Sequence, residues 1–262
     1  MAFPTLFLSH GSPMLAISDS PARAFLKSYG QTLGKPRAIV IASAHFETSR
    51  PSVSGDEKPA MIYDFRGFPD ALYRIVYPAP GEPAAAVKVA GLLEAAGFAP
   101  AVVRDRGYDH GTWVPLSLLY PAADVPVVQL SVQPHLGAAH HLAVGRALAS
   151  LKNEDILVIG SGTASHNLHE FFRGRYQVDA ETPAWVSAFD AWVREKAEAG
   201  AVDDLVNYRD RAPHARENHP TEEHFLPFHV AFGAAGEGAK GQRVHSSHDH
   251  GVLTMDAYAF NA

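Results

Sequence analysis

The chain has 262 residues, a formal charge of −6 and no cysteine. Its length suits one large domain or two small ones, burying roughly 70–75% of the unfolded surface. Hydrophobic residues at 47% and charged residues at 19% exclude a disordered chain, and the absence of cysteine excludes disulfides, thiolate zinc sites and Fe–S clusters.

The 22 basic residues form no stripe, so nucleic acid is not an expected partner. No apolar run approaches the roughly 20 residues of a membrane helix. Met1-Ala2-Phe3-Pro4 lacks the basic region and apolar core of a signal peptide. A cytoplasmic location is the expectation.

In chain order, Thr5 to Leu8 reads as a strand. Ser20-Pro21 supplies a cap and a first-turn proline for a helix over Ala22 to Leu33. Ala38 to Ser43 is a continuous apolar run, the pattern of a strand buried on both faces. The Pro- and aromatic-rich stretch from Ser54 to Pro80 predicts a loop over a site. Glu82 to Ala96 is helical and Ala101 to Arg104 a strand; Trp113 to Tyr120 reads as a short helix and Val125 to Val132 as a strand. Gly137 to Leu151 predicts a helix and Asp155 to Ile159 another buried strand. Helices over Pro183 to Ala199 and Thr221 to Ala235 follow, with Thr221 as N-cap and Pro227 a distorting residue. Val252 to Phe260 reads as a final strand. This alternation predicts an α/β fold: a single domain over residues 1–262, with a central, mostly parallel mixed sheet flanked by helices on both faces.

Fifteen histidines are the chemical signal. His10, His45 and His166 each follow a predicted strand, and ligands of open α/β sheets bind beyond the carboxyl ends of strands. His110 lies between a strand and a helix, and His224 at a predicted helix start. A lone histidine after a strand is more often a turn or core residue, but shared placement favours a functional set. On the bland reading, Glu222 and Glu223 only complement a helix dipole. His140, His141 and His169 read as solvated helix or turn positions, His214 and His219 as loop residues, and His245, His248 and His250 as an exposed turn. Ser12 and Ser161 lie near histidines, but no nucleophile elbow or Walker loop accompanies them.

The motifs carry a resemblance. They are His10-Gly11-Ser12-Pro13-Met14, Ser43-Ala44-His45, Tyr63-Asp64-Phe65-Arg66-Gly67-Phe68-Pro69, Tyr77-Pro78-Ala79-Pro80-Gly81, Tyr108-Asp109-His110-Gly111-Thr112-Trp113, Ser165-His166-Asn167-Leu168 and Glu223-His224-Phe225-Leu226-Pro227. Over nearly its whole length the chain resembles the class III extradiol ring-cleavage dioxygenases, and within them the 4,5-DOPA dioxygenase extradiol group. The resemblance implies one α/β domain and one divalent metal held through His10 and His45. In the larger protocatechuate-type relatives a glutamate completes the set; here the region reads Glu222-Glu223-His224, and His224 is the matching ligand. His166 matches the acid/base residue and is also a candidate fourth ligand. His110 matches a second catalytic histidine that contacts substrate.

The resemblance further implies a catecholic substrate and O2 as partners, Fe(II) in the active form, and a muconic semialdehyde product. A histidine-rich shell also suits Zn(II) in the isolated protein, since zinc binds such sites more tightly than Fe(II). The alternatives are a zinc-dependent hydrolase on the same scaffold, and a non-catalytic metal-binding or interaction protein. The Tyr63–Tyr77 segment is a candidate pocket wall. Arg66 and Arg106 are candidates for a substrate carboxylate or for surface salt bridges. Oligomeric state stays open.

Overall fold

A computed structural model describes residues 3–262. The strands are β1 (Thr5–Ser9), β2 (Ala38–Glu47), β3 (Ser52–Ser54), β4 (Ala101–Val103), β5 (Val127–Val132), β6 (Ile156–Gly162), β7 (Lys240–His245), β8 (His248–Asp249), β9 (Leu253–Thr254) and β10 (Ala257–Asn261). The helices are α1 (Pro21–Leu33), α2 (Pro83–Ala95), α3 (His110–Leu119), α4 (Gly137–Ala147), α5 (Leu168–Gly174), α6 (Ala184–Ala199), α7 (Val202–Val206), α8 (Tyr208–Arg211), α9 (Ala215–Asn218) and α10 (Leu226–Ala234).

Eight strands form one mixed sheet in the order β4-β3-β5-β2-β6-β1-β10-β7. Its centre, β5-β2-β6-β1, is parallel throughout. β10 pairs antiparallel with β1, and β7 antiparallel with β10. At the other side β3 opposes β5 and runs parallel to β4.

The period of two along each strand divides the core. Leu6, Leu8, Ile39, Ile41, Leu157 and Ile159 pack with Leu26 of α1 and Trp113 and Leu116 of α3. Val40, Ala42, Leu130 and Val158 pack on the opposite face with Val89 of α2, Val144 of α4 and Val230 of α10. Phe7 joins Phe189 of α6 and Phe228 of α10. Fully burying one such aliphatic or aromatic side chain contributes about 1.5–3 kcal/mol. That is why the continuous apolar runs became the covered strands.

Local signals set the boundaries. The Ser20 hydroxyl accepts from the Arg23 N–H at 3.2 Å, capping α1 with Pro21 in its first turn. α3 begins at His110, three residues before the expected Trp113, because Asp109 caps it: its carboxylate accepts from the Thr112 N–H at 3.1 Å. The helix expected over Thr221 to Ala235 starts only at Leu226. Pro227 sits in its first turn, where a missing N–H costs nothing. Thr221 is therefore not an N-cap; residues 221–225 form a turn. α4 stops at Ala147, and residues 149–154 tighten into a 3₁₀ turn. The expected last strand splits: β9 pairs with the short β8, while β10 enters the main sheet. No helix among the described residues is long and apolar enough to cross a membrane.

Candidate metal centre

Because β1, β2 and β6 run parallel, their carboxyl ends meet at one edge, and the histidines gather there. His10 follows β1 directly, is fully buried, and donates its backbone N–H to Gly162 O at 2.8 Å. His45 lies inside β2, not after it as expected, within the register shift between Ala42 and Glu47. His110 is the first residue of α3, and His166 follows β6. His224 comes from the turn before α10, which lies hard against the end of β6. The Thr163 N–H donates to His224 O at 3.0 Å, and a Cβ at Gly162 would stand 1.9 Å from that same oxygen. Only glycine allows this approach.

The five rings form one cluster. His10 Nε2 and His45 Nε2 stand 3.0 Å apart. Ring centroids are 5.0 Å apart for His10 and His45, 5.4 Å for His10 and His224, and 4.9 Å for His45 and His224. Two contacts are closer. His110 lies 3.9 Å from His45, and His166 stacks on His224 at 3.5 Å with 13° between planes.

Ring nitrogens are oriented from outside the cluster. His10 Nδ1 lies 3.0 Å from Ser161 Oγ. That hydroxyl donates to Gly111 O at 2.5 Å, so it accepts from His10 Nδ1–H and leaves Nε2 with its lone pair free. His110 Nδ1 lies 2.8 Å and His45 Nδ1 3.5 Å from the Asp64 carboxylate. His224 Nδ1 lies 2.9 Å from Glu223 Oε1, and His166 Nδ1 lies 3.9 Å from the same oxygen.

Burial, followed by the charge of neighbouring imidazoles, holds His10, His45, His166 and His224 neutral. His10 and His224 fall well below the ordinary histidine range, His45 to about 3 and His166 to about 4. Burial works to raise the Asp64 carboxyl, but its hydrogen bond to His110 and the adjacent imidazoles outweigh burial and bring it to about 2. Neutral imidazoles whose ring nitrogens are oriented by carboxylates form a donor set that could hold a divalent cation.

The spacing fits one ion. Metal–nitrogen bonds of about 2.0–2.1 Å set two ligand nitrogens about 2.9–3.4 Å apart, and ring centroids about 4.5–5.5 Å apart, as the angle widens from a right angle. The ring centroids of His10, His45 and His224 fall within that range, as do the Nε2 atoms of His10 and His45. The ring centroids of the His45–His110 and His166–His224 pairs are closer than those of two ligands of one ion; the first is a tilted contact at 44° and the second a stack at 13°. Among the described residues, ligand atoms lie within 4.8 Å of one another in two groups, His10–His45–His110 and His166–Glu223–His224; the groups adjoin through His45 and His224, so a set of His10, His45 and His224 draws on both.

Comparison with known proteins gives the same direction. The family described as "Catalytic LigB subunit of aromatic ring-opening dioxygenase" matches residues 4–261. The chain belongs to this family. It is 45% identical over 262 residues to the 4,5-DOPA dioxygenase extradiol of Beta vulgaris, covering 98% of this chain and 96% of that one. It is 41% identical over 238 residues to the 4,5-DOPA dioxygenase extradiol of Escherichia coli K12, covering 88% and 84%. A crystal structure of an uncharacterized Escherichia coli K12 protein superposes with a TM-score of 0.81 at 32% identity, covering 99% of this chain and all of that one.

Against this family frame, several residues take places that the sequence did not assign. Asp64 belonged to a quoted motif without a role; in the structure it reaches two of the five histidines. Ser161 is no exposed nucleophile: it is fully buried and both its hydrogen-bonding functions are used. Glu223 faces His224 and His166, whereas Glu222 accepts from the Tyr208 hydroxyl at 2.9 Å and stays structural. Thr221 donates to Glu223 Oε1 at 3.0 Å, so it orients this carboxylate instead of capping a helix. Arg106 Nη2 donates to Asp109 at 2.6 Å and to His45 O at 3.1 Å, which commits it to the scaffold; Arg66 is exposed.

His141 departs from the solvated reading: it is fully buried. His219 lies in a loop as expected, and is fully buried there. His245 and His248 are half-buried and bond Ser247 and Asp190. His169 and His214 are exposed or partly so, as expected. The Ser54–Pro80 stretch is largely irregular and brings Phe65 edge-on to His110 at 5.8 Å, with Trp113 and Tyr73 behind it.

Proposed function

We propose that this chain is a metal-dependent extradiol dioxygenase that opens the ring of a DOPA-like catechol with O2, yielding a muconic semialdehyde. The observation that carries the reading is the arrangement of five histidines: three with ring centroids at the spacing of one ion's ligands, and two packed against them, one tilted and one stacked. His10, His45 and His224 would hold the metal, Fe(II) in the active form. Such a shell takes up zinc readily, so an isolated sample holding zinc is compatible with it. Bound Fe(II) would supply a Lewis acid for the two adjacent catechol oxygens and a one-electron route between the ring and O2.

The protein side chains do the rest. His166 enters neutral, because burial holds its imidazole at about 4. Its Nε2, turned from Glu223, takes a catechol hydroxyl proton as general base. The 3.5 Å stack on His224 supports this role over that of a fourth ligand, which would require the stack to open. His110 is held by Asp64 through Nδ1 and contacts the reacting substrate oxygens. Phe65, edge-on to His110, would give the flat substrate an apolar wall. The substrate class is supported by the names of the Beta vulgaris and Escherichia coli relatives.

The test is reconstitution. The metal is stripped, Fe(II) is restored without oxygen, DOPA or another catechol is added, and O2 is admitted. A yellow semialdehyde with matching oxygen uptake is expected. No uptake across a panel of catechols overturns the assignment, and ester or amide hydrolysis by the zinc form would establish the hydrolase in its place.

A further inference from the structure

Two carboxylates flank the cluster in matching positions. Each faces one ring of the proposed ligand set and one ring packed against it. Asp64 faces His45, a ligand, and His110, which packs 3.9 Å from it. Glu223 faces His224, a ligand, and His166, which stacks 3.5 Å from it. The bonding within each pair is unequal, and in opposite senses. Asp64 lies 2.8 Å from His110 Nδ1 and 3.5 Å from His45 Nδ1. It also accepts the His110 backbone N–H at 3.1 Å, so the stronger hold is on the non-ligand ring. Glu223 lies 2.9 Å from His224 Nδ1 and 3.9 Å from His166 Nδ1, so its stronger hold is on the ligand.

We propose that Asp64 and Glu223 are positioning residues with divided duties: Asp64 acts mainly on turnover through His110, and Glu223 acts mainly on metal affinity through His224. The inference rests on the dioxygenase reading above and says which carboxylate serves which step. A carboxylate accepting from Nδ1–H fixes the tautomer and ring orientation, and presents Nε2 on the other side. Where the strong bond falls on a ligand, its loss releases the metal. Where it falls on a ring that touches substrate, its loss disorders the reacting complex and leaves the ion largely held. Thr221 reinforces the Glu223 side by donating to the same Oε1 at 3.0 Å.

Both carboxylates are partly solvated, with side chains 24% and 15% exposed, so truncation leaves no sealed cavity. The experiment compares Asp64→Ala and Glu223→Ala by two readouts: Fe(II) dissociation constant by chelator competition, and kcat at saturating metal with a catechol. Outer-shell partners of a metal site are typically worth about 10–100-fold. Asp64→Ala is expected to lower kcat by about that factor, with a smaller change in metal affinity. Glu223→Ala is expected to weaken metal binding by about that factor, with the smaller share of its loss in kcat. A double-mutant cycle checks the route: in a His110→Ala background, removing Asp64 should cost almost nothing further in kcat.

The same split in both variants, or full additivity in the cycle, overturns the division of duties. Should either alanine variant melt early, Asp64→Asn and Glu223→Gln carry the same expected order. If the wild-type chain neither binds Fe(II) nor consumes O2 with any catechol, the dioxygenase reading itself fails, which the wild-type control reports separately.

Discussion

At the residue scale, His166 is the sharpest test of the chemistry. Its ring is held neutral by burial, its Nδ1 faces Glu223, and it stacks on His224 without sharing that residue's bond to Glu223. Removing a general base typically costs about 10²–10⁴ in rate. His166→Ala is therefore expected to retain Fe(II) stoichiometry and lose catechol-dependent oxygen uptake by that factor. Retained ring cleavage would reject the base assignment; loss of the metal would make His166 a ligand. That these five histidines would gather was legible in the sequence, because each sits near a recognisable strand end or helix start. The residues that orient them were not. Ser161 reaches His10 across 151 positions of chain, and Asp64 reaches His110 across 46. Such pairs exist only after the sheet has brought their elements together.

At the element scale, the decisive contact is between the end of β6 and the turn that carries His224. A Cβ at Gly162 would stand 1.9 Å from His224 O and 2.9 Å from its carbonyl carbon. The obstacle is backbone, so no side-chain rotation relieves it. Gly162→Ala must push the turn away from the strand end. Overpacking a core typically costs about 1–3 kcal/mol. The variant is expected to unfold at lower urea and, because His224 moves with the turn, to bind metal more weakly than wild type. Wild-type affinity in a correctly folded variant would mean that this contact does not position the ligand. The strands themselves were readable, since runs such as Ala38–Ser43 have no solvated face. The start of α10 was misread because Thr221 and Pro227 both fit a helix entrance. Pro227 took it, and Thr221 was left to bond Glu223.

At the scale of the whole molecule, buried histidines make stability depend on pH even away from the metal centre. His141 is fully buried; its Nδ1 donates to Gly137 O at 2.7 Å, and its Nε2 accepts from the Gln133 N–H at 2.9 Å. Protonation at Nε2 would break that second bond. Burial, opposed in part by the Gly137 carbonyl, holds His141 at about 3; burial likewise holds His219 at about 3 and His229 at about 4. The sign follows from linkage. The unfolded chain carries histidines near 6.5, so below that pH it binds protons that the folded protein refuses. The stability these rings contribute is complete above about pH 6.5 and is lost as pH falls towards the folded values. Each ring contributes up to about 1.4 kcal/mol per pH unit in that window. With metal stripped, the urea midpoint should stay nearly level above about pH 7 and then fall progressively as pH is lowered to about 5.5, above the range in which most carboxylates titrate. A flat profile would mean that these rings are reached by protons in the folded state, and their burial could not then be what keeps the histidine-rich core neutral.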